Sequence, residues 1–389
     1  MSENILSLIE ERLSSAFVFP TPEVKHQILT GIVNGGSVIL RGPSGTGKTY
    51  ISRIIQELFG GGAEITASLN EDPKDVFSSV EVRDGKVATV WTESYFNKAV
   101  TIMDEISRIP AELQLRMFRL FENRVDVMGE SRSLGKDGYS LVIGGTNEAN
   151  SYYPGVFSID EALKERIAIV IDIPPIKDTD LFKMELCKNS VTPLSPSEWK
   201  AFLTYREKSH TKSLSVSAMV ALLALSGLNT CVHANADGNK RNIRIPYACE
   251  GCQFANTFCP HAIGPLPRRW KYLQQVARVS AHVRGAKAAS HMDVLLFGSF
   301  DVSDNWIEKH GGSKHSAILS VFNILKSGIQ DFVAGVDGKK KIQVSSLPWH
   351  KSIVFMLTTV INLFEGKNYG EFIEWLEFEN RLLKESSDA

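Results

Sequence analysis

The 389-residue chain lacks any marked excess of one charge. Its 43 Lys and Arg face 44 Asp and Glu, for a formal net charge of −1. Proteins that track a nucleic-acid backbone benefit from a basic surface, so this balance disfavours a nucleic-acid motor. The basic stretches GVDGKKK (335–341) and PRRWK (267–271) are too small to reverse it. The chain also lacks a long apolar run. The longest, IVFMLTTVINLF (353–364), is too short to span a bilayer and fits a buried helix. At the N-terminus, MSENILSLIEERLSSAF mixes acids with apolar residues, which excludes a signal peptide and reads as a short amphipathic helix. No internal repeat or low-complexity tract is visible, and 43% apolar content excludes a disordered chain. A cytoplasmic, membrane-free protein is expected, where paired disulfides are disfavoured. Cysteine is scarce at five residues, yet four of them fall between positions 231 and 259.

What is present is an alternation of helix and strand from about residue 21. PEVKHQILTGIV reads as a helix, GSVILRG as a buried strand, GPSGTGKT as a glycine-rich turn and YISRIIQELF as a helix. AVTIMDE, YSLVIGGTNE and IAIVIDIP are further β-branched runs of strand length, with helical stretches between. Such alternation implies an α/β fold, a parallel sheet covered on both faces. From roughly 195 the pattern turns helical. The expected organisation is an α/β nucleotide-binding core over 1–180 and a helical lid over 181–300. A polar insertion at about 229–264 would interrupt that lid, and a C-terminal helical region would cover 301–389.

GPSGTGKT matches a phosphate-binding loop, with Gly42, four residues, then Gly47, Lys48 and Thr49. Glycines let backbone N–H groups close around phosphate oxygens, while Lys48 reaches the outer phosphates and Thr49 offers its hydroxyl to Mg2+. The candidate ATP contacts are Gly42, Pro43, Ser44, Gly45, Thr46, Gly47, Lys48, Thr49 and Tyr50. The strand VTIMDE ends in two carboxylates. Asp104 would share the Mg2+ with Thr49, and Glu105 would orient and polarise the attacking water. Alone, an acidic pair after a strand is an ordinary turn; beside a phosphate loop, phosphoryl transfer requires such a carboxylate. Asn147, at the end of another buried strand, is either a turn residue or a polar group facing the same crevice, where parallel sheets bind ligands.

The run from TIMDEISRIPAELQLRMFRLFENRVDVMGESRS through YSLVIGGTNEANSYYPGVFSIDEALKERIAIVIDIP resembles AAA+ ATPases of the MoxR group and cobaltochelatase small subunits. The likeness covers roughly residues 15 to 300 and includes NEDPKDVFSSVEVRDGKVATVWTESYFNKA, similar to the helix-2 insert of that clade. It implies a P-loop AAA+ core and maps Lys48 and Thr49 to Walker A, Asp104 and Glu105 to Walker B, and Asn147 to the first sensor. Arg166 aligns with the arginine finger, although the family's LDRF reads KERI here. Arg268 aligns with the second-sensor arginine, at the same spacing from the closing Arg284–Gly285. A guanidinium can fork across the oxygens of a departing γ-phosphate. Projected into a neighbour's site, Arg166 implies a homo-oligomeric ring, a hexamer. Arg268, from the lid, would sense nucleotide in its own subunit.

Cys249 and Cys252 form a CxxC, followed by Cys259 and preceded by Cys231, with His233 and His261 as possible substitutes. Four thiolates suit a closed, structural Zn2+ site that would fold a polar insertion. The alternatives are a redox CxxC, for which no thioredoxin-like unit is visible, and unconnected cysteines. Lys240, Arg241 and Arg244 in the same loop are candidate partner contacts, with a solvated loop as the alternative. Cys187 reads as helix packing. Three uses of ATP hydrolysis follow: remodelling a protein client with a von Willebrand A-domain partner, as MoxR relatives do; serving as the ATPase subunit of a metal-chelatase-like complex; or driving a DNA-associated motor.

Overall fold

A computed structural model gives the structure of the chain and describes residues 4–66, 77–83, 86–108, 114, 118–127, 129–147, 159, 161–175, 177–215, 218, 222 and 267–298. The cysteines of the 231–259 cluster, His233, His261, Lys240, Arg241, Arg244 and the whole of 301–389 lie outside those residues. In chain order the first elements are α1 (Asn4–Ala16), α2 (Pro22–Asn34), β1 (Gly36–Arg41), α3 (Lys48–Leu58) and β2 (Gly62–Thr66). Then come β3 (Ser78–Arg83), β4 (Lys86–Trp91), β5 (Val100–Asp104), β6 (Arg124–Val127), β7 (Glu130–Ser133), β8 (Leu141–Thr146) and β9 (Ile169–Asp172). The described residues divide between two compact units, one drawn from Met1–Lys212 and Val279–Ala286, the other from Ser213–Arg278 and Lys287–Ala389.

The first unit is built on a five-stranded sheet in the order β2-β5-β8-β1-β9, and every pairing in it is parallel. β8 is buried at all six positions, which explains why its sequence runs apolar and small rather than alternating. Parallel strands point one way, so the C-terminal ends of β1, β5 and β8 share one edge of the sheet. Register places Arg41 opposite Thr146 and Met103 opposite Gly144. Two antiparallel pairs, β3–β4 and β6–β7, stand outside this sheet.

Local signals set the helices. Thr21 caps α2, its hydroxyl accepting the Val24 amide at 3.2 Å, with Pro22 at the first helical position. The helix Pro196–His210 opens with a reciprocal capping box between Ser195 and Glu198. Glu198 is also gripped by both terminal nitrogens of Arg12, at 3.1 and 2.8 Å, which ties α1 to that helix. Trp199 and Phe202 of the same helix pack with Phe59 and Tyr139, ring centroids lying 5.2 to 5.7 Å apart. Tyr139 is fully buried and donates its hydroxyl to the Ile32 carbonyl at 2.7 Å. In the second unit, Ser213–Leu214 pairs in parallel with Ala288–Ala289, and the buried Arg269 donates to the Phe297 carbonyl at 3.2 Å.

Two histidines of the first unit make its stability depend on acid. Burial, reinforced by Arg206, lowers His210 from the usual 6.5 to about 4. Burial also lowers His282, with Lys212 and Lys208 adding to it. A histidine kept neutral in the fold but protonated in the unfolded chain stabilises fully above the unfolded value. That contribution is lost as pH falls from 6.5 towards 4. We expect the melting temperature to drop across this window, and His210→Gln to flatten the drop; superimposable profiles would contradict the assignment.

Candidate functional site

The loop between β1 and α3 brings the glycine-rich residues to the C-terminal edge of the sheet. Gly47, the N-cap of α3, has φ of 83°, and a Cβ there would lie 3.1 Å from the Phe17 ring. At Gly42 an added Cβ would run into the Ile173 carbonyl, so the chain enters the loop against the end of β9. The first amides of α3 have no carbonyl to pair with inside the helix, and the helix dipole adds partial positive charge there. That combination suits phosphate. Lys48 is nearly buried, and its ammonium is held by the Gly42 and Pro43 carbonyls at 2.8 and 2.7 Å. The Thr46 hydroxyl braces the loop by donating to the Pro43 carbonyl at 3.0 Å. At the loop's base, Arg41 makes a forked pair with Asp172 across β1 and β9, at 2.6 and 3.1 Å.

Two residues separated by 55 positions meet here: the Thr49 hydroxyl donates to Asp104 Oδ2 at 2.8 Å. A hydroxyl and a carboxylate held together are hard oxygen donors that suit Mg2+. Asp104 Oδ1 accepts the Glu105 amide at 2.9 Å. Glu105 has φ of 57°, a left-handed backbone that a non-glycine residue adopts at a cost of about 1–3 kcal/mol. Its carboxylate pairs with Arg108 at 2.9 Å, across the short 3-10 turn Ile106–Arg108. Ser107 of that turn accepts the Asn147 amide at 3.3 Å, so Asn147, just past β8, is tied to the segment that carries Glu105.

Space for Asp104 depends on a residue that sequence reasoning passed over. A Cβ on Gly145 would lie 2.6 Å from Asp104 Oδ1. Gly145→Ala should swing the carboxylate away from Thr49. We expect Mg2+-dependent nucleotide affinity to fall by about 10- to 100-fold, the usual cost of disturbing a group that orients a metal ligand. Magnesium titration of nucleotide binding checks this, and an unchanged midpoint would refute it. A cavity of about 250 Å³ also adjoins the loop, lined by Phe17, Val18, Pro20, Thr46, Gly47, Tyr50, Pro174, Asp180 and Met184 among others. Its mostly apolar walls, with Phe17 and Tyr50 at hand, suit a planar heterocycle. These residues come from three segments with no shared motif, so nothing in the sequence groups them.

Arg166 lies away from this loop. Arg166 follows the short helix Glu161–Lys164, and its carbonyl accepts the Ser37 hydroxyl at 2.7 Å. Ser37 sits at the start of β1, whereas the phosphate loop follows the end of that strand. At about 3.3 Å per residue the two ends are roughly 17 Å apart, beyond the reach of one side chain. Arg166 and its own phosphate loop therefore occupy opposite edges of the sheet. Arg268 stands exposed in the second unit, on the helix Pro267–Val283, next to the buried Arg269. Among the described residues, no group of three or more His, Cys, Asp or Glu is placed to hold a metal ion. No described helix is long and apolar enough to cross a membrane.

Comparison with known proteins places this site in context. Residues 37–167 match the family model of the AAA domain, dynein-related subfamily. This stretch runs from β1 to just past Arg166, and so contains the loop, Asp104, Glu105 and Asn147. Among solved structures, the chain is similar to a presumed ATPase from Cytophaga hutchinsonii, with TM-score 0.61 and 16% identity. That alignment covers 83% of this chain and 94% of the other. No curated protein matches the chain. The family match and the five-stranded parallel sheet together support an AAA-type P-loop core and the general class of ATP hydrolysis.

Proposed function

We propose that the protein is a MoxR-like AAA+ ATPase that hydrolyses ATP in an oligomeric ring and uses the energy to remodel or activate a protein client. The observation that carries the reading is the Thr49–Asp104 hydrogen bond at the mouth of a phosphate loop, with Glu105 beside it. Lys48 and the first amides of α3 bind the phosphates, and the apolar cavity next to Thr46 and Gly47 takes the adenine. Thr49 and Asp104 would hold Mg2+, which when bound neutralises phosphate charge. Glu105 accepts the proton of the attacking water. Asn147 orients that water through its tie to Ser107. In the ring, a hexamer, Arg166 reaches the neighbour's γ-phosphate and Arg268 senses nucleotide from the lid.

The client partner in this reading carries a von Willebrand A domain, since MoxR relatives work with such proteins. The runner-up use is the ATPase subunit of a metal-chelatase-like complex, which shares the same core. A DNA-associated motor is disfavoured by the near-neutral charge. Cys231, Cys249, Cys252 and Cys259 would hold a structural Zn2+; metal analysis of purified protein decides this, and a fully folded, zinc-free chain refutes it. To test the main reading, a Glu105→Gln chain loaded with ATP serves as bait. Enrichment of a von Willebrand A-domain protein, dependent on ATP, is the expected result. Recovery of chelatase subunits instead selects the runner-up, and failure of the wild type to hydrolyse ATP overturns both.

A further inference from the structure

Arg166 is held by a built network. Its Nε donates to Glu122 Oε1 at 3.0 Å, and its guanidinium lies 4.3 Å from the centre of the Phe118 ring. Both partners are far away in sequence. Glu122 sits at the corner between the short helix Phe118–Phe121 and β6, where its amide donates back to the Phe118 and Arg119 carbonyls at 3.2 and 3.0 Å. The Glu122 carboxylate is fixed in turn. Arg119 pairs with it at 2.8 Å and Arg124 at 3.4 Å, and both reach Asp126 as well, at 3.0 and 4.0 Å. Glu122 is shielded, with 17% of its side chain exposed, while Arg119 and Arg124 are 49% and 39% exposed. Among the described residues, Arg119, Arg124 and Arg166 gather around Glu122 and Asp126 at the sheet edge opposite the phosphate loop.

We propose that Glu122 is a positioning residue for Arg166, holding the arginine in the attitude in which it enters a neighbouring subunit's site. This rests on the reading of Arg166 as a residue acting between subunits. A long side chain at a surface loses rotamer freedom when it must present a fixed plane to a phosphate. Here that ordering is done before any neighbour arrives. The Nε bond fixes one edge of the guanidinium, and the Phe118 ring fixes its plane. Arg119 and Arg124 keep Glu122 in place and share its charge, so the carboxylate that orients Arg166 is itself held.

The experiment measures hydrolysis by the full-length protein in its assembled state, with kcat and KM determined separately. Displacing a reacting partner by about 1 Å can cost on the order of 100-fold in rate. Glu122→Gln keeps the size of the side chain but removes its charge, so kcat should fall by between about 10- and 100-fold with KM for ATP unchanged. Glu122→Asp, which restores the charge, should recover part of the loss. In the double variant with Arg166→Ala, the loss should equal that of Arg166→Ala alone, because both act through one group. Loss in Arg166→Ala with full turnover in Glu122→Gln would overturn this inference alone. Additive losses, or a raised KM with lowered melting temperature, would reduce Glu122 to a structural role. Full hydrolysis by Arg166→Ala would overturn the reading of Arg166, and this inference with it.

Discussion

Glu105→Gln should bind ATP with near wild-type affinity and hydrolyse it at least ~100-fold more slowly, the lower end of what a positioned general base contributes. The two effects separate because the structure separates their causes. Binding is assigned to Lys48, held at the Gly42 and Pro43 carbonyls, and to the amides at the start of α3. The Glu105 carboxylate instead pairs with Arg108. The backbone at position 105 is held by its own amide, which donates to Asp104, so a glutamine inherits the same left-handed conformation. Its amide also preserves the size and the acceptor facing Arg108. What it cannot do is take a proton. Equilibrium binding of a fluorescent ATP analogue, alongside phosphate release, reads both halves; undiminished release would remove Glu105 from the mechanism.

Arg166→Ala should lose on the order of 1,000-fold or more in kcat, the range for an arginine that stabilises a transferring phosphoryl group. Nucleotide affinity per subunit should hold, since Arg166 and the phosphate loop lie at opposite ends of β1. The fold should tolerate the change, because Glu122 keeps Arg119 and Arg124 as partners. The decisive measurement mixes inactive subunits. An Arg166→Ala subunit has an intact phosphate loop, Asp104 and Glu105; a Glu105→Gln subunit has an intact Arg166. Where the second supplies its arginine to the first, one working site forms, and activity should peak at intermediate ratios. Absence of activity at every ratio would argue against action between subunits.

Some of this architecture is legible in the sequence because its causes are local. β1, β5, β8 and β9 are runs of Val, Ile, Leu and Met that only a doubly covered sheet accommodates, and the phosphate loop is a contiguous motif. β2 is harder to see. In GAEIT, Ala63 and Ile65 are buried, while Glu64 faces outward to pair with Arg53. The hairpin β6–β7 reads RVDV and ESRS, too polar to announce strands, and is held by its own ladder. Tyr139 reads as the start of a strand, yet β8 begins at Leu141 and Tyr139 instead bonds back to α2. At the site, the residue types carrying phosphate and metal chemistry are legible. Their supports are not: Gly145 making room for Asp104, Ser107 holding Asn147, and Glu122 gripping Arg166 from 44 positions away all depend on contacts that only folding creates.

The pairing of β1 with β9 has a mechanical consequence. One end of this ribbon is closed by Arg41 and Asp172 beneath the phosphate loop, and the other by Ser37 bonded to Arg166 and Ala168. Two hydrogen-bonded strands buried in a sheet do not stretch. If Arg166 acts on a neighbour as proposed, a subunit's own phosphate loop and the arginine it would lend are mounted on one stiff strut. In a ring, news of hydrolysis would then travel around the circle as tilting of whole cores. The moving joints would lie between subunits, and inhibitors wedged into those joints should stall every site together.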